Sequence, residues 1–332
     1  MRIFVTGGAG YVGSACLRLL LAQGHDAIAF DNLSEGHRLA VPEGRLIEGD
    51  IRDTAALAAA MKTHGAEAVM HFAAATYVGE SVTNPDHHYG NNIGGTLSLL
   101  RAMREAGVAR MLFSSTCATY GDNPEPPMNE EAAQIPCSPY ARTKLAVEWM
   151  IRDFAHAYGL GYTILRYFNA SGADGDGEFG ENHEPETHLI PLLLQVALGQ
   201  RDKLMLYGDD YPTPDGTCIR DYVHTDDLAS AHLLAIAATT PTTAEVFNIG
   251  TGNGQSVKQV HQACEDVTGR RIPLQVVARR PGDAPALVAD PTKLKTRLGW
   301  TPRYEDIRAT VQTAWAWHQR YPKGYADKAA RK

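Results

Sequence analysis

Thr6-Gly7-Gly8-Ala9-Gly10-Tyr11-Val12-Gly13 is the segment that most constrains the architecture of this 332-residue chain. It follows the apolar run 3–5 and leads into a helical pattern over residues 16–21, so we expect a strand, a tight loop and a helix in that order. Glycines at positions 7, 10 and 13 let the backbone approach a pyrophosphate closely, and the N-terminus of the following helix attracts its charge. The segment therefore predicts a dinucleotide site.

The end of the second predicted strand indicates which dinucleotide binds. The apolar run 27–30 ends in Asp31, and an acid about 20 residues beyond such glycines accepts hydrogen bonds from the adenosine ribose hydroxyls. A carboxylate would repel a 2′-phosphate, and the next residue is Asn32 rather than an arginine. We therefore expect NAD rather than NADP as the cofactor.

Strand and helix patterns alternate through the first half of the chain. Strands are predicted at 2–5, 27–30, 68–72, 110–114 and 162–166, and helices at about 11–23, 53–62, 90–105 and 139–158. This alternation is typical of an α/β fold with a Rossmann-like, doubly wound parallel sheet. Ligands of such sheets bind beyond the carboxyl ends of the strands. Asp50-Ile51, His71 to Ala74 and Phe113 to Thr116 all fall at such ends.

The texture changes after Asn169. Residues 171–186 are rich in Gly, Asp and Glu and predict a loop, and a helix is expected near 188–199. We expect residues 1–170 to form an NAD-binding domain to which 219–249 return. A smaller C-terminal α/β substrate domain would comprise 171–218 and 250–322. The basic tail 323–332 is predicted to be frayed.

Composition excludes several classes of protein. A hydrophobic content of 44%, a charged content of 21% and a net charge of −7 are ordinary for a soluble protein and argue against a nucleic-acid binder. No apolar run approaches the length of a membrane span, and strand-like sequence from Arg2 leaves no room for a signal peptide. Five cysteines without a Cys-x-x-Cys pair indicate reduced thiols. We therefore expect a cytoplasmic protein.

Tyr140 and Lys144 are the strongest candidates for chemistry. The run from Ser138 to Trp149 predicts a helix, and a spacing of four residues places both side chains on one face. An ammonium group beside a phenol favours the phenolate, which could accept a proton near neutral pH. Paired with a dinucleotide loop, this arrangement predicts proton transfer next to the cofactor.

Three patterns suggest a metal at first sight, and we predict none. The histidines of His183-Glu184-Pro185-Glu186-Thr187-His188 are five residues apart, and the proline interrupts any helix, so the geometry of a His-Glu-x-x-His site fails. The acidic run from Asp174 has Phe179 where a calcium loop requires glycine. The side chains of the adjacent His87 and His88 would diverge.

Taken together, the motifs resemble the extended short-chain dehydrogenase/reductase family, and within it the UDP-hexose 4-epimerases, over approximately residues 1–322. The motifs that carry the resemblance are the glycine loop, Asp31 to Ser34, Gly49 to Ile51, His71 to Ala74, Phe113 to Thr116, Ser138 to Tyr140, Leu165 to Asn169, Arg220 to His224 and Arg279 to Asp283. The resemblance implies an isomerase that inverts C4 of UDP-glucose or UDP-galactose through a transient 4-keto intermediate, with NAD unchanged after each turnover.

The resemblance also implies the roles of the catalytic and cofactor-binding residues. Tyr140 would be the acid/base, Thr116 would bond the sugar 4-hydroxyl, and Lys144 would bond the nicotinamide ribose and lower the pKa of the phenol. The residues expected to bind NAD are Gly7, Gly10, Tyr11, Val12, Gly13, Asp31, Asn32, Asp50, Ile51, Phe72, Ala73, Ala74, Asn91, Ser114, Tyr140, Lys144 and Tyr167.

A third set is implied for the UDP-sugar. Arg220 and Arg280 would bind the diphosphate, since arginine suits bidentate contacts with phosphate. Asp283 would hold the uridine ribose, with Tyr222 nearby. Asn169, His188 and Leu189 would contact the phosphates or the hexose, and Leu287 occupies a position linked to the size of the sugar accepted. A homodimer is implied as well, through a four-helix bundle of the helices near 90–105 and 139–158.

Several alternatives remain open from the sequence. Leu287 is intermediate in size, which leaves UDP-GlcNAc, UDP-GalNAc or a UDP-pentose as substrates. A 4,6-dehydratase would need an acid after Thr116, where this chain has Cys117. That cysteine is either a proton carrier or a small buried apolar side chain. A non-enzymatic NAD sensor usually lacks the Tyr/Lys pair, and Thr76 stands where many relatives have a cofactor-binding lysine.

Overall fold

The computed structural model describes residues 1–121, 126–280 and 283–331. Its first half contains β1 (Arg2–Thr6), α1 (Tyr11–Ala22), β2 (Asp26–Asp31), β3 (Leu46–Glu48), α2 (Thr54–His64), β4 (Ala68–His71), α3 (Val78–Thr83), α4 (Pro85–His88), α5 (Gly95–Ala106), β5 (Arg110–Thr116), α6 (Pro139–Tyr158) and β6 (Gly161–Tyr167). A π-helical segment, Tyr89–Gly94, joins α4 to α5.

Shorter strands alternate with helices in the second half. They are β7 (Asn169–Ser171), α7 (Leu189–Ala197), β8 (Leu204–Tyr207), β9 (Ile219–Arg220), β10 (Tyr222–His224), α8 (Thr225–Ala238), β11 (Ala244–Ile249), β12 (Gln255–Ser256), α9 (Val257–Thr268), β13 (Leu274–Val277), β14 (Ala286–Leu287), α10 (Thr292–Leu298), α11 (Ile307–Arg320) and α12 (Tyr325–Ala330).

One seven-stranded sheet organises the molecule. Its strand order is β11-β6-β5-β4-β1-β2-β3, and every neighbouring pair is parallel. The order reverses direction between β1 and β4, which is the position where doubly wound sheets bind ligands. The predicted Rossmann-like α/β fold is confirmed. β11, from the second half of the chain, extends the sheet beyond β6.

Both faces of this sheet are covered by helices, which explains why its strands are almost continuously apolar. Successive side chains of a strand point to opposite faces. Accordingly, Val5 packs in a cluster with Leu17 of α1 and Leu228 of α8, whereas Phe4 packs on the other face with Leu57 of α2 and Leu99 of α5. The sheet therefore has a hydrophobic core on each side.

The smaller sheets bring distant segments together. β13 pairs with β8, β10 pairs with β7, and β9 lies between β12 and β14. Helices α7, α9 and α11 form the core beside them, through residues such as Leu193, Val260 and Val311.

Two features differ from the sequence predictions. The short strand β3 was not predicted, because it has only three residues and none is fully buried. The tail was expected to be frayed, and this was wrong up to residue 331. α12 packs against α11, where the rings of Tyr325 and Trp317 are tilted by 52° with centroids 5.0 Å apart. The amine of Lys328 lies 3.7 Å from the ring centroid of Phe179.

Among the described residues, the helices are each too short or too polar to span a bilayer.

Candidate active site

The glycine loop fits tightly against the strand beside it. Gly7 has a φ of +71°, and a Cβ on it would lie 2.4 Å from the backbone nitrogen of Ala73. A Cβ on Gly13 would lie 2.1 Å from the carbonyl oxygen of Gly7. α1 begins after Gly10 without a side-chain cap, so the N–H groups of its first turn are available to an anion. These features fit a dinucleotide pyrophosphate.

Asp31 lies at the end of β2, where a ribose is expected. Its two carboxylate oxygens accept hydrogen bonds from the backbone N–H groups of Ala9 and Leu33, both at 2.9 Å. Burial raises its pKa, and these hydrogen bonds oppose that shift. The carboxylate is thus held at the edge of the loop by the loop itself.

Asn32 and Asp50 face each other across the ends of neighbouring strands. The amide of Asn32 donates a 3.2 Å hydrogen bond to Asp50. Arg52 donates from its Nε and Nη2 to the same carboxylate, at 2.9 and 2.7 Å. These hydrogen bonds hold the pKa of Asp50 well below its usual range. Asp50 therefore stays ionised and positions the Asn32 amide.

The predicted catalytic side chains come from β5 and the first turn of α6. The hydroxyl of Ser138 accepts a hydrogen bond from the N–H of Ala141, which fixes the start of the helix. This places Tyr140 beside the end of β5, where the hydroxyl of Thr116 is near enough to the phenol to oppose the rise in its pKa. Thr116 and Tyr140 therefore lie close together.

Lys144 lies one turn further along α6, where the backbone of β5 holds its amine. Its amine donates a 2.9 Å hydrogen bond to the carbonyl oxygen of Ser114. Burial lowers the pKa of Lys144 to about 7, against the opposing charge of Glu148. Burial also raises the pKa of Tyr140, and the Thr116 hydroxyl opposes that shift. The expected lowering of this pKa by Lys144 stays a prediction.

Ser114 connects this pair to β6. Its hydroxyl lies 2.5 Å from the phenolic oxygen of Tyr167, so the two hydroxyls form a hydrogen bond in which either can be the donor. The Tyr140 phenol is close enough to Tyr167 for the charge of Tyr167 to raise the pKa of Tyr140. The ends of β5, β6 and α6 thus form one polar cluster.

The remaining expected cofactor residues surround the glycine loop. Ala73 lies against Gly7, as described above, and the ring of Phe72 lies 5.0 Å from that of His232. The hydroxyl of Tyr11 donates to the carbonyl of Gly172, and the amide of Asn91 donates to Asn92. Val12 packs against the core on the α1 side of the sheet, and Ile51 is buried beneath Gly95. Ala74 is partly buried.

Asn92 is a residue that the sequence argument missed. Its carbonyl oxygen accepts from the N–H of Ala75, and its amide donates to the Ala75 carbonyl and to the Thr143 hydroxyl. It therefore ties the loop after β4 to the catalytic helix. The sequence shows two adjacent asparagines in a helical pattern, and nothing in it distinguishes the anchoring one.

The predicted substrate residues lie around the β9–β14 pair. Leu287 pairs with Arg220 in this sheet. One Arg220 nitrogen donates to the carbonyl of Ala284 at 2.8 Å, and another lies 3.6 Å from Asp283. The charge of Arg220 also acts on Cys117, the neighbour of Thr116, where it partly offsets the effect of burial on the thiol pKa. Arg220 therefore lies near the residue that follows Thr116.

Arg280 and Asn169 lie on the other sides of this group. The guanidinium of Arg280 lies 3.8 Å from the ring centroid of Tyr207, a residue that the sequence argument did not single out. Asn169 pairs with the buried Tyr222 between β7 and β10. Pro281 and Gly282, which complete the Arg279 to Asp283 motif, lie outside the described residues.

Cys117 is buried next to the catalytic threonine. It packs in a cluster with Tyr120, Phe168 and the partly buried Leu287. Burial raises the pKa of its thiol to about 12. A proton carrier needs a pKa closer to neutral, so the structure favours the apolar reading of this residue.

His188 lies in a different environment from the two arginines. It precedes α7, and its Nδ1 lies 2.5 Å from Glu181 and 3.6 Å from Glu186. Nδ1 of His183 lies 3.3 Å from Glu181 and 3.7 Å from Glu186. We call these four residues the Glu/His cluster. Leu189 follows as the first residue of α7.

Comparisons with known proteins agree with this geometry. Residues 3–250 match the model of the family described as "NAD dependent epimerase/dehydratase family". The UDP-glucose 4-epimerase of Halalkalibacterium halodurans is 49% identical over 327 residues, which cover 98% of each chain. A UDP-glucose 4-epimerase from Brucella ovis, solved in complex with NAD, is 50% identical with a TM-score of 0.91, over 95% of this chain and 97% of that one. A Bifidobacterium longum UDP-glucose 4-epimerase, in complex with NAD+ and UDP, is 36% identical with a TM-score of 0.94, over 98% of this chain and 100% of the other.

Proposed function

Because the chain belongs to the NAD dependent epimerase/dehydratase family, we infer that it is an isomerase that interconverts UDP-glucose and UDP-galactose by inverting C4 of the hexose. The observation that carries this inference is the contact between Thr116 and Tyr140 at the carboxyl end of β5. It brings a hydroxyl and a phenol together in the cleft that also contains the glycine loop.

NAD fits the first half of the site. Gly7, Gly10 and Gly13 leave room for the pyrophosphate beside the uncapped start of α1, and Asp31 can accept hydrogen bonds from the adenosine ribose. When bound, NAD supplies a hydride acceptor and a positive charge that would lower the pKa of a nearby phenol. The glycine loop and Asp31 would hold NAD throughout the cycle, since the reaction returns it unchanged.

Tyr140 acts as the acid/base in this proposal. Its phenolate would remove the proton of the sugar 4-hydroxyl, while the Thr116 hydroxyl orients that group by a hydrogen bond. Lys144, held by the Ser114 carbonyl, keeps an amine with a pKa of about 7 one helical turn away. A group that titrates near neutral pH can exchange protons with solvent without a large energetic cost.

The second half of the site would hold the UDP group. Arg220 is fixed by two backbone carbonyls, those of Ile219 and Ala284, so that part of its guanidinium is positioned before a diphosphate arrives. Arg280 would add a second positive charge, and Asp283 would accept from the uridine ribose. Guanidinium groups bind phosphate oxygens in pairs, which fixes the diphosphate while the hexose turns.

The surroundings of Thr116 favour epimerisation over dehydration. Loss of water from a hexose needs an additional acid/base next to the threonine, and this position carries Cys117, whose thiol is buried with a pKa of about 12. The next residues are Ala118 and Thr119. The neighbouring side chains therefore supply proton transfer at C4 alone.

A coupled assay tests this function directly. Purified protein is mixed with UDP-galactose, and the UDP-glucose formed is measured. Parallel samples receive UDP-GalNAc or UDP-arabinose, and the 4-epimer of each is measured. We expect the fastest turnover with UDP-galactose, and NAD in the supernatant after denaturation. Absence of UDP-glucose, in protein that releases NAD, would reject the proposal, and faster turnover of UDP-GalNAc would move it to the N-acetylated sugars.

We also propose a homodimer formed by α5 and α6, in the cytoplasm. α6 presents Trp149, which is 56% exposed, and Tyr158, which is 55% exposed, and such large apolar groups are usual at interfaces. All five cysteines, each within the described residues, are free, as suits a reducing compartment. Sedimentation of the wild type and of Trp149→Glu tests the dimer: a wild-type monomer would contradict it.

A further inference from the structure

The Glu/His cluster contains two carboxylates that are removed from water. The side chain of Glu181 is 4% exposed and that of Glu186 is 3% exposed. Over the described part of the chain, the ion pairs of both carboxylates join them to His183 and His188 and to no lysine or arginine. Two buried negative charges this close together require a positive partner. With both imidazoles neutral, the cluster carries two negative charges.

The backbone around the cluster is fixed by neighbouring elements. The carbonyl of Glu181 accepts a hydrogen bond from the indole of Trp317, and the Asn182 carbonyl is bonded to His37. One oxygen of Glu186 accepts from the N–H groups of Thr187 and His188, at 2.8 and 2.9 Å. This leaves its second oxygen to face His183. The four side chains therefore converge on a preformed, anchored loop.

The distances within the cluster match a metal coordination shell. The four contacts between Nδ1 atoms and carboxylate oxygens measure 2.5, 3.3, 3.6 and 3.7 Å, and all four donor atoms lie within 4.8 Å of one another. A tetrahedral site with bonds of about 2.0 Å has edges of about 3.3 Å. Small side-chain movements would bring all four atoms to that geometry.

One of these four donor atoms is left without a hydrogen bond in the described part of the chain. Nδ1 of His183 is buried and has no hydrogen-bond partner of suitable geometry among the described residues, although Glu181 is near. An unpaired buried imidazole nitrogen is costly, and a metal ion would satisfy it. His188, in contrast, has a half-exposed side chain, which provides a path by which an ion could enter.

We propose that Glu181, His183, Glu186 and His188 form a binding site for a divalent transition-metal ion of the Zn²⁺ type. Two imidazole nitrogens and two carboxylate oxygens suit Zn²⁺ and its neighbours rather than Mg²⁺ or Ca²⁺, which take oxygen ligands. The ion balances the two buried charges and clamps the loop that leads into α7. From the sequence we predicted no metal in this run, because the geometry of a helical His-Glu-x-x-His site fails. The present proposal reverses that prediction, because the four side chains converge from an irregular loop.

The competing arrangement is a metal-free cluster in which protonated histidines balance the carboxylates. Burial lowers the pKa of His183, but its close contacts and charge interactions with the carboxylates of Glu181 and Glu186 outweigh this and raise it to about 10. The two arrangements differ in a measurable way, because only one of them binds an ion stoichiometrically and tightly.

The test uses the full chain, produced without a histidine tag, stripped with a chelator and reloaded with Zn²⁺. Metal content is measured by mass spectrometry, and affinity by competition with a chromogenic chelator. We expect one Zn²⁺ per chain. The variants His183→Gln and Glu186→Gln should bind it on the order of 100-fold more weakly, because each removes one ligand. The exposed His156→Gln is the matched control and should bind as the wild type does.

Two further measurements keep the test decisive. Co²⁺-loaded wild type should show the visible absorption of four-coordinate Co²⁺, and Zn²⁺ should raise the melting temperature of the wild type and of His156→Gln but not of the two ligand variants. Glu186→Gln keeps a carbonyl that can accept the two N–H groups, so it should remain folded. Equal Zn²⁺ affinity in wild type and both ligand variants, or less than one ion bound per chain, would overturn the proposal in favour of the metal-free cluster.

Discussion

The hydroxyl of Thr116 lies close enough to the phenol of Tyr140 to lower its pKa, although Thr116 ends a strand of the central sheet and Tyr140 lies in the first turn of a helix. The contact depends on Ser138, which caps α6, and on Lys144, whose amine reaches back to Ser114 in the same strand. α6 is therefore attached to β5 at two successive turns. The phenolic oxygen can move little, which favours a fixed acid/base.

Tyr140→Phe should remove the acid/base and leave the rest of the site in place. We expect kcat to fall by about 10²- to 10⁴-fold, which is the usual contribution of a positioned proton donor or acceptor. The NAD content per chain should stay at the wild-type level, because the glycine loop is untouched. Turnover of UDP-galactose and NAD released on denaturation are the two measurements. Tyr158→Phe, an exposed tyrosine of the same helix, is the control, and near-normal turnover of Tyr140→Phe would contradict the assignment.

Much of this site follows from local sequence patterns. The glycine loop, Asp31 and the pair on α6 were predicted because each depends on neighbours within one strand–loop–helix unit. The partner of Lys144 was not predictable, because the Ser114 carbonyl belongs to another element. The rise in the pKa of Tyr140 could not be predicted for a related reason, since burial is a property of the whole fold.

The missed features share one physical origin. Asn92 lies in a π-helical segment, and its bonds reach Ala75 in the loop after β4 and Thr143 on α6. α12 looks like a polar tail in sequence, because only Tyr325 and the stem of Lys328 are buried against α11. The Glu/His cluster lies on a loop without a repeating pattern. In each case tertiary contacts, rather than periodicity, determine the structure.

Gly13→Ala should prevent NAD binding. A Cβ at this position would lie 2.1 Å from the carbonyl oxygen of Gly7, so the loop would have to move away from the start of α1. We expect the purified variant to release far less NAD per chain than the wild type, with circular dichroism unchanged. Gly79→Ala is the control, because a Cβ there meets no atom within 4 Å. Wild-type NAD content in Gly13→Ala would show that the pyrophosphate binds elsewhere.

Arg280→Met should weaken the binding of UDP more than it slows the chemical step. The guanidinium lies over the ring of Tyr207, and methionine keeps the apolar contact while removing the charge. Hydrogen bonds to charged groups are worth about 1.5–3 kcal/mol, so we expect affinity for UDP to fall about 10- to 100-fold. Isothermal titration with UDP measures this. The neighbouring Arg279 is already paired with Asp210, so Arg279→Met should bind UDP normally, and equal affinities of both variants would argue against the role of Arg280.

Glu148→Gln should destabilise the catalytic helix. The Glu148 side chain is fully buried and accepts hydrogen bonds from Arg166, at 2.6 and 2.9 Å, and from Ser115 at 2.6 Å. Its replacement leaves the charge of Arg166 buried without a carboxylate partner, which costs about 3–5 kcal/mol. Urea unfolding measures the loss. The control is Glu105→Gln, which breaks the exposed pair with Lys62 and should change stability by less than about 1 kcal/mol. Equal effects of the two variants would contradict the prediction.

His71→Gln should change how stability depends on pH. His71 is buried at the end of β4, where its two ring nitrogens lie 2.7 Å from the Thr6 hydroxyl and 2.9 Å from that of Thr96. Burial, aided by the charge of Lys144, lowers its pKa to about 3 from a reference value of 6.5. Between these values the unfolded chain holds one more proton than the folded chain. This histidine therefore contributes a loss of stability as the pH falls from 6.5 towards 3, and none above 6.5.

The size of this contribution is about 1.4 kcal/mol per pH unit, which is the slope for one proton. The wild type should be more stable than His71→Gln at pH 7.5, because the variant disturbs two buried hydrogen bonds, and the difference should shrink by that slope below pH 6.5. Urea unfolding at pH 7.5, 6.5, 5.5 and 4.5 measures it. His156→Gln, on the surface of α6, should run parallel to the wild type. If the curve of His71→Gln is also parallel to that of the wild type, His71 takes up a proton in the folded protein as readily as in the unfolded chain. Its two threonine contacts then do not keep it neutral.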